Sequence, residues 1–116
     1  MKVRLKLTID EMKALCWVLV QISCLDTYNK QEFIYKNEAM DLYFKLAEKM
    51  RNSYRKHYSV QLNSIQILML FAYDFAMGNF ERVVYMEICA KIDKQYISDV
   101  HHRTYRLQAP KNELLE

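Results

Sequence analysis

The sequence predicts an all-α, four-helix-bundle-like fold, two antiparallel helical pairs with two short β-strands near residues 3–7 and 59–62. Three observations carry that expectation. The 116-residue chain contains one glycine and one proline, so it lacks the residues that tight turns prefer and favours a few long helices over many short strands. Hydrophobic residues make up 52% and charged residues 27%, which supplies a core and excludes disorder of the whole chain. Apolar residues also recur at three- and four-residue steps in four separate segments, the period of a helix with a buried face.

The first element is a strand, because Val3, Leu5 and Leu7 alternate with Arg4 and Lys6 and leave one face wet. The period changes at Thr8. Thr8-Ile9-Asp10-Glu11 forms an S/T-x-x-E capping box, in which hydroxyl and carboxylate each serve the other residue's amide and start a helix. Ile9, Met12, Leu15, Cys16, Leu19 and Ile22 follow at helical spacing, while Trp17, Val18 and Val20 carry the apolar surface around most of the cylinder. Asp26-Thr27-Tyr28-Asn29 holds turn-forming residues that end it.

A second helix is expected over residues 30–57, with an inward stripe of Met40, Tyr43, Phe44, Ala47, Met50 and Tyr54. Its polar face includes a favourable Asp41→Lys45 pair at i,i+4. Residues 59–63 then alternate as residues 3–7 do, and Asn63-Ser64-Ile65-Gln66 repeats the capping pattern. The third helix is expected over 64–77 and contains QILMLFAYDFAM, whose single formal charge is Asp74. Gly78-Asn79 suits a left-handed helix end. Phe80, Val83, Val84, Ile88, Ile92, Tyr96 and Val100 mark a fourth helix that ends near Arg103. The expected organisation is one helical domain over 1–106 and a flexible C-terminal tail over 107–116, where Pro110 lies.

Superposing Leu7 on Leu62 aligns Thr8 with Asn63, Glu11 with Gln66 and Met12 with Ile67. A unit of strand, apolar helix and amphipathic helix therefore reads as occurring twice. Identity between the copies is low, so the repeat speaks to topology alone.

Three cysteines cannot all pair, and none has a metal-ligand spacing. Cys16 and Cys24 share the first helix, separated by roughly 12 Å of rise, too far for a disulfide. A reducing cytoplasm is the expected compartment. The apolar run 14–25 (ALCWVLVQISCL) follows Asp10 and Glu11 instead of a basic leader, unlike a signal peptide, and Gln21 does not fit a lipoprotein signal at Cys24. Neither apolar run reaches the ~20 residues of a membrane span.

No catalytic, cofactor-binding or metal site is read from the sequence. His101-His102-Arg103 lacks the i,i+4 spacing that joins two ligands, and the cysteines read as small core residues. The expected role is a non-enzymatic helical oligomer, a homodimer first of all, acting as scaffold, adaptor or regulatory subunit. Its interface is expected at Trp17, Val20, Leu68, Phe71 and Phe75, because two helices apolar nearly all round leave more surface than one small chain hides. The alternative is a nucleic-acid-binding accessory protein. Lys45, Lys49, Arg51, Arg55 and Lys56 would meet phosphate, and Tyr58 would stack on bases. The net charge of +3 decides little. A helix-turn-helix across Gly78 is disfavoured, since Glu81 and Glu87 would face phosphate.

Overall fold

The computed structural model describes the backbone of residues 2–52 and 54–115 and the side chains of residues 2–52 and 54–98. The fold is helix-dominated, in the order β1 (Lys2–Leu7), α1 (Ile9–Ser23), α2 (Lys30–Asn52), β2 (Tyr58–Asn63), α3 (Ser64–Ala72) and α4 (Asn79–Leu115). The two strands pair antiparallel within the chain, from Lys2 opposite Asn63 to Leu7 opposite Tyr58. Alternation sets their faces. Val3, Leu5, Leu7, Tyr58, Val60 and Leu62 point into the core, while Lys2, Arg4, Lys6, Ser59 and Gln61 point outward.

Both capping boxes form. Thr8 Oγ1 accepts the Glu11 amide at 3.2 Å and Glu11 Oε1 accepts the Thr8 amide at 2.9 Å. Asn63 Oδ1 and Gln66 Oε1 do the same at 2.8 and 3.0 Å. The alignment that matches Leu7 with Leu62 also matches Leu5 with Val60, and those two residues face one another across the ribbon. A local two-fold axis therefore passes through the Leu5–Val60 pair, and α1 and α3 leave the ribbon at opposite ends. Glu11 and Gln66 are equivalent under it, and among the described residues they are the buried polar side chains.

The helices pack unevenly behind this ribbon. α1 packs on α2 and α4, α2 also on α3, and α4 on β1. One core joins them, and it includes Met12, Leu15, Leu19 and Ile22 of α1, Met69 and Leu70 of α3 and Ile88 and Ile92 of α4. Tyr85 ties α4 to the end of α3, its hydroxyl donating to the Leu70 carbonyl at 2.9 Å.

Four boundaries and faces differ from expectation. α3 stops at Ala72, short of residue 77. From Tyr73 the chain is extended, and Tyr73, Phe75 and Met77 turn toward the core while Asp74 and Ala76 face out. Ring contacts explain the switch: Tyr73 meets Tyr35 edge-on at 6.2 Å and stacks on Phe75 at 5.8 Å, and Phe75 meets Trp17 edge-on at 6.3 Å. Two residues apart in an extended chain lie on one side, which a helix would not allow. Gly78 accordingly has no left-handed φ. Its carbonyl accepts the Arg82 amide at 2.9 Å, so it caps the start of α4 instead of ending α3.

α2 ends at Asn52, before residue 57. The chain is drawn into β2 as the Arg55 amide donates to the Tyr58 hydroxyl at 3.2 Å and Lys49 Nζ donates to the Ser59 carbonyl. The buried stripe of α2 is Tyr35, Ala39, Leu42 and Leu46, leaving Met40 41%, Phe44 62% and Tyr54 86% exposed. Helical periodicity accommodates either apolar edge, and packing against α1 and α3 selects this one. Finally, α4 continues past Arg103 to Leu115, in a stretch without glycine. The side chains of His101, His102 and Arg103 and of the expected tail 107–116 lie outside those described.

Candidate functional site

A two-stranded ribbon has two free edges, each a row of unpaired carbonyls and amides. Long side chains close them here. On the β1 edge, the Arg4 amide donates to Gln95 Oε1 at 3.1 Å, Gln95 Nε2 donates back to the Arg4 carbonyl, and Lys91 Nζ donates to the Lys6 carbonyl at 2.9 Å. On the β2 edge Lys49 holds the Ser59 carbonyl. These contacts bring α4 alongside β1 and α2 alongside β2, and between helix and strand each side keeps an open groove.

The β2-side groove, about 310 Å³, is lined by Lys2, Lys45, Lys49, Gln61, Asn63 and Gln66 over a floor of Leu42, Leu46 and Val60. The β1-side groove, about 640 Å³, is lined by Arg4, Lys6, His57, Lys91, Lys94, Gln95 and Ser98, with Leu5 beneath. Among the described residues no aspartate or glutamate lines either groove. Asp41 and Glu48 of α2 and Asp93 of α4 are exposed, but none belongs to a groove wall.

One cation is neutralised from below. Lys91 Nζ lies 2.8 Å from both carboxylate oxygens of the buried Glu11. Burial alone would push the Glu11 carboxyl up; the hydrogen bonds from Lys91 and Thr8 and the ammonium charge more than reverse that, leaving it below its ordinary 4.5. The equivalent Gln66 is neutral and donates a long bond of 3.4 Å to Glu38. Among the described residues this is the ion pair that closes; the expected Asp41→Lys45 pair does not. Lys45 therefore keeps its charge for another partner.

Of the residues expected to meet phosphate, Lys45 and Lys49 stand in the β2-side groove, and Arg51, Arg55 and Lys56 are exposed outside both groove walls. Tyr58 is 3% exposed, on an inward position of β2, so its ring packs in the core and cannot stack on a base. Sequence reasoning missed Lys2, Arg4, Lys6, Gln61, Lys91 and Lys94 as one constellation. The wet face of β1 was legible, but its neighbours are set by pairing across the chain.

Of the expected oligomer residues, Trp17, Val20 and Phe75 come together. Trp17 and Val20 are one turn apart on α1, Trp17 borders Phe80 of α4, and Val20 borders Met40 and Phe44 of α2. Phe75 packs edge-on against Trp17. Leu68 and Phe71 are exposed on α3, which is not among the elements packed closely on α1.

Neither Cys16 nor Cys89 is an activated thiol. Burial pushes the Cys16 thiol up to about 11. Burial and Asp93 also raise Cys89, against a hydrogen bond with Tyr85. Cys24 is exposed, not a core residue as expected. Among the described residues no three His, Cys, Asp or Glu side chains could hold a metal ion, and no helix is long and apolar enough to cross a membrane. Asp74 is exposed and does not line the groove that holds His57. Compared with known protein families, with curated proteins and with solved structures, the chain finds no match.

Proposed function

We propose that this chain is a non-enzymatic nucleic-acid-binding protein that holds a phosphate backbone against the outer face of its β-ribbon. The observation that carries the reading is the sorting of charge. Among the described residues, seven lysine and arginine side chains wall the two grooves without a carboxylate in the lining, and six of them have no acidic partner. A net charge of only +3 conceals this separation. Parallel rows of cations at the spacing of a strand and its flanking helices suit a polyanion better than a single small anion.

Binding of this kind releases counterions, so log K falls against log salt by ~0.9 per phosphate neutralised on a duplex. Lys45→Ala with Lys49→Ala should flatten that slope by roughly 2 and weaken binding to all sequences alike. Fluorescence anisotropy with labelled duplex and single strands from 20 to 200 mM salt, on the order of the range where such slopes are read, measures both. Absence of binding to every nucleic acid at the lowest salt overturns the proposal.

A second reading is favoured by a different surface. Phe80, Trp17, Val20, Met40 and Phe44 form an apolar strip across α4, α1 and α2, of the kind that soluble monomers seldom leave bare. It supports self-association as a homodimer, with the helical layer acting as a four-helix-bundle-like half, in a scaffold, adaptor or regulatory role. The two readings are compatible, since the strip and the ribbon face draw on different residues. Unpaired thiols at Cys16, Cys24 and Cys89 accord with a reducing compartment such as the cytoplasm.

A further inference from the structure

We infer that the ribbon reads duplex DNA, its outward face lying in the major groove with Arg4 and Gln61 as the base-contacting pair; this rests on the nucleic-acid reading above. A two-stranded antiparallel ribbon fits the B-form major groove, about 12 Å wide, and presents alternate side chains of both strands to base edges. Here those side chains come as cross-strand pairs: Lys2 beside Asn63, Arg4 beside Gln61 and Lys6 beside Ser59. Arg4 and Gln61 are the central pair. Neither side chain enters a hydrogen bond or ion pair among the described residues, because the contacts of Arg4 with Gln95 use its backbone.

The chemistry of that pair matches base readout. An arginine fork donates twice to guanine O6 and N7, and a glutamine amide both accepts from and donates to adenine N6 and N7. The flanks match backbone contact. Lys45 and Lys49 stand on one side of the ribbon and Lys94 on the other, where the two phosphate rows bordering a groove would run.

Other nucleic acids fit less well. Among the described residues, apart from His57, no aromatic ring lines either groove, and Tyr58 is buried, so these residues form no stacking platform of the kind a single-strand binder uses. The major groove of A-form RNA is too deep and narrow for a ribbon to read.

The test selects bound sequences from a randomised duplex library with the full chain, then compares the selected duplex with a scrambled one at fixed salt. The expected result is enrichment of a short G- and A-containing site. Arg4→Ala and Gln61→Ala should each cut the preference for that site roughly tenfold to a hundredfold while changing affinity for the scrambled duplex far less. Lys45→Ala with Lys49→Ala should lower both affinities by the same factor. Circular dichroism checks that each variant is folded, as expected for substitutions at exposed positions. Duplex binding without enrichment, equal loss on both duplexes in the Arg4 and Gln61 variants, or preference for single strands or double-stranded RNA overturns the ribbon inference and leaves the basic face standing. Binding to no nucleic acid removes the reading beneath it.

Discussion

Glu11 does three jobs at once: it closes the Thr8 capping box, sits buried beneath the ribbon, and anchors Lys91 of a helix eighty residues away. Its folded-state pKa lies below its ordinary value of 4.5. Its contribution to stability is therefore fully present above pH 4.5 and is lost as pH falls through the lower folded-state value. Lys91→Met isolates the effect. Without the ammonium, burial is opposed only by Thr8, and a buried carboxylate is left without its cation. The lysine side chain is 41% exposed, so the cost at neutral pH is expected at about 1–3 kcal/mol, below that of breaking a fully buried pair. Urea denaturation at pH 7 and pH 3 should show a larger difference between the variant and the parent at pH 7. An equal difference at both pH values would mean that the pair is not what holds α4 to the capping box.

Among the elements, the segment 73–78 decides the most. Had α3 continued to residue 77, Tyr73, Phe75 and Met77 would stand on different faces of a helix. Instead Tyr73, Phe75 and Met77 pack inward on an extended chain, which delivers α4 to α1 and β1. Phe75 is the accessible probe of this turn, because it touches Trp17, the chain's one tryptophan. Phe75→Ala should red-shift Trp17 emission and lower stability by about 1–3 kcal/mol, less than the ~3–5 of a fully buried phenylalanine. An unchanged spectrum would contradict the contact. The strands behave oppositely to this segment, since their two-residue period and capping boxes were readable in the sequence to within a residue. A cap and an alternation are local devices, whereas the end of α3 depends on rings contributed by α1 and α2.

At the scale of the whole molecule, the apolar strip and the basic face stand for the two proposed roles, and each has its own readout. Phe44→Glu places a charge on the strip outside the buried stripe of α2. It should lower the mass seen by light scattering across a dilution series while leaving the circular dichroism spectrum unchanged. A parent chain that is already monomeric at micromolar concentration would remove self-association. The sequence by itself determined the helix-rich class, the two strands, both capped junctions and the alignment that relates them, because composition, period and caps act over a few residues. Only the tertiary structure decided which apolar edge of α2 is buried, where α3 yields to an extended chain, and that Lys2, Arg4 and Lys6 stand between the lysines of α2 and α4. Those outcomes depend on pairing Leu5 with Val60 and Lys91 with Glu11 across most of the chain. No local pattern encodes a convergence of charges so far apart in sequence.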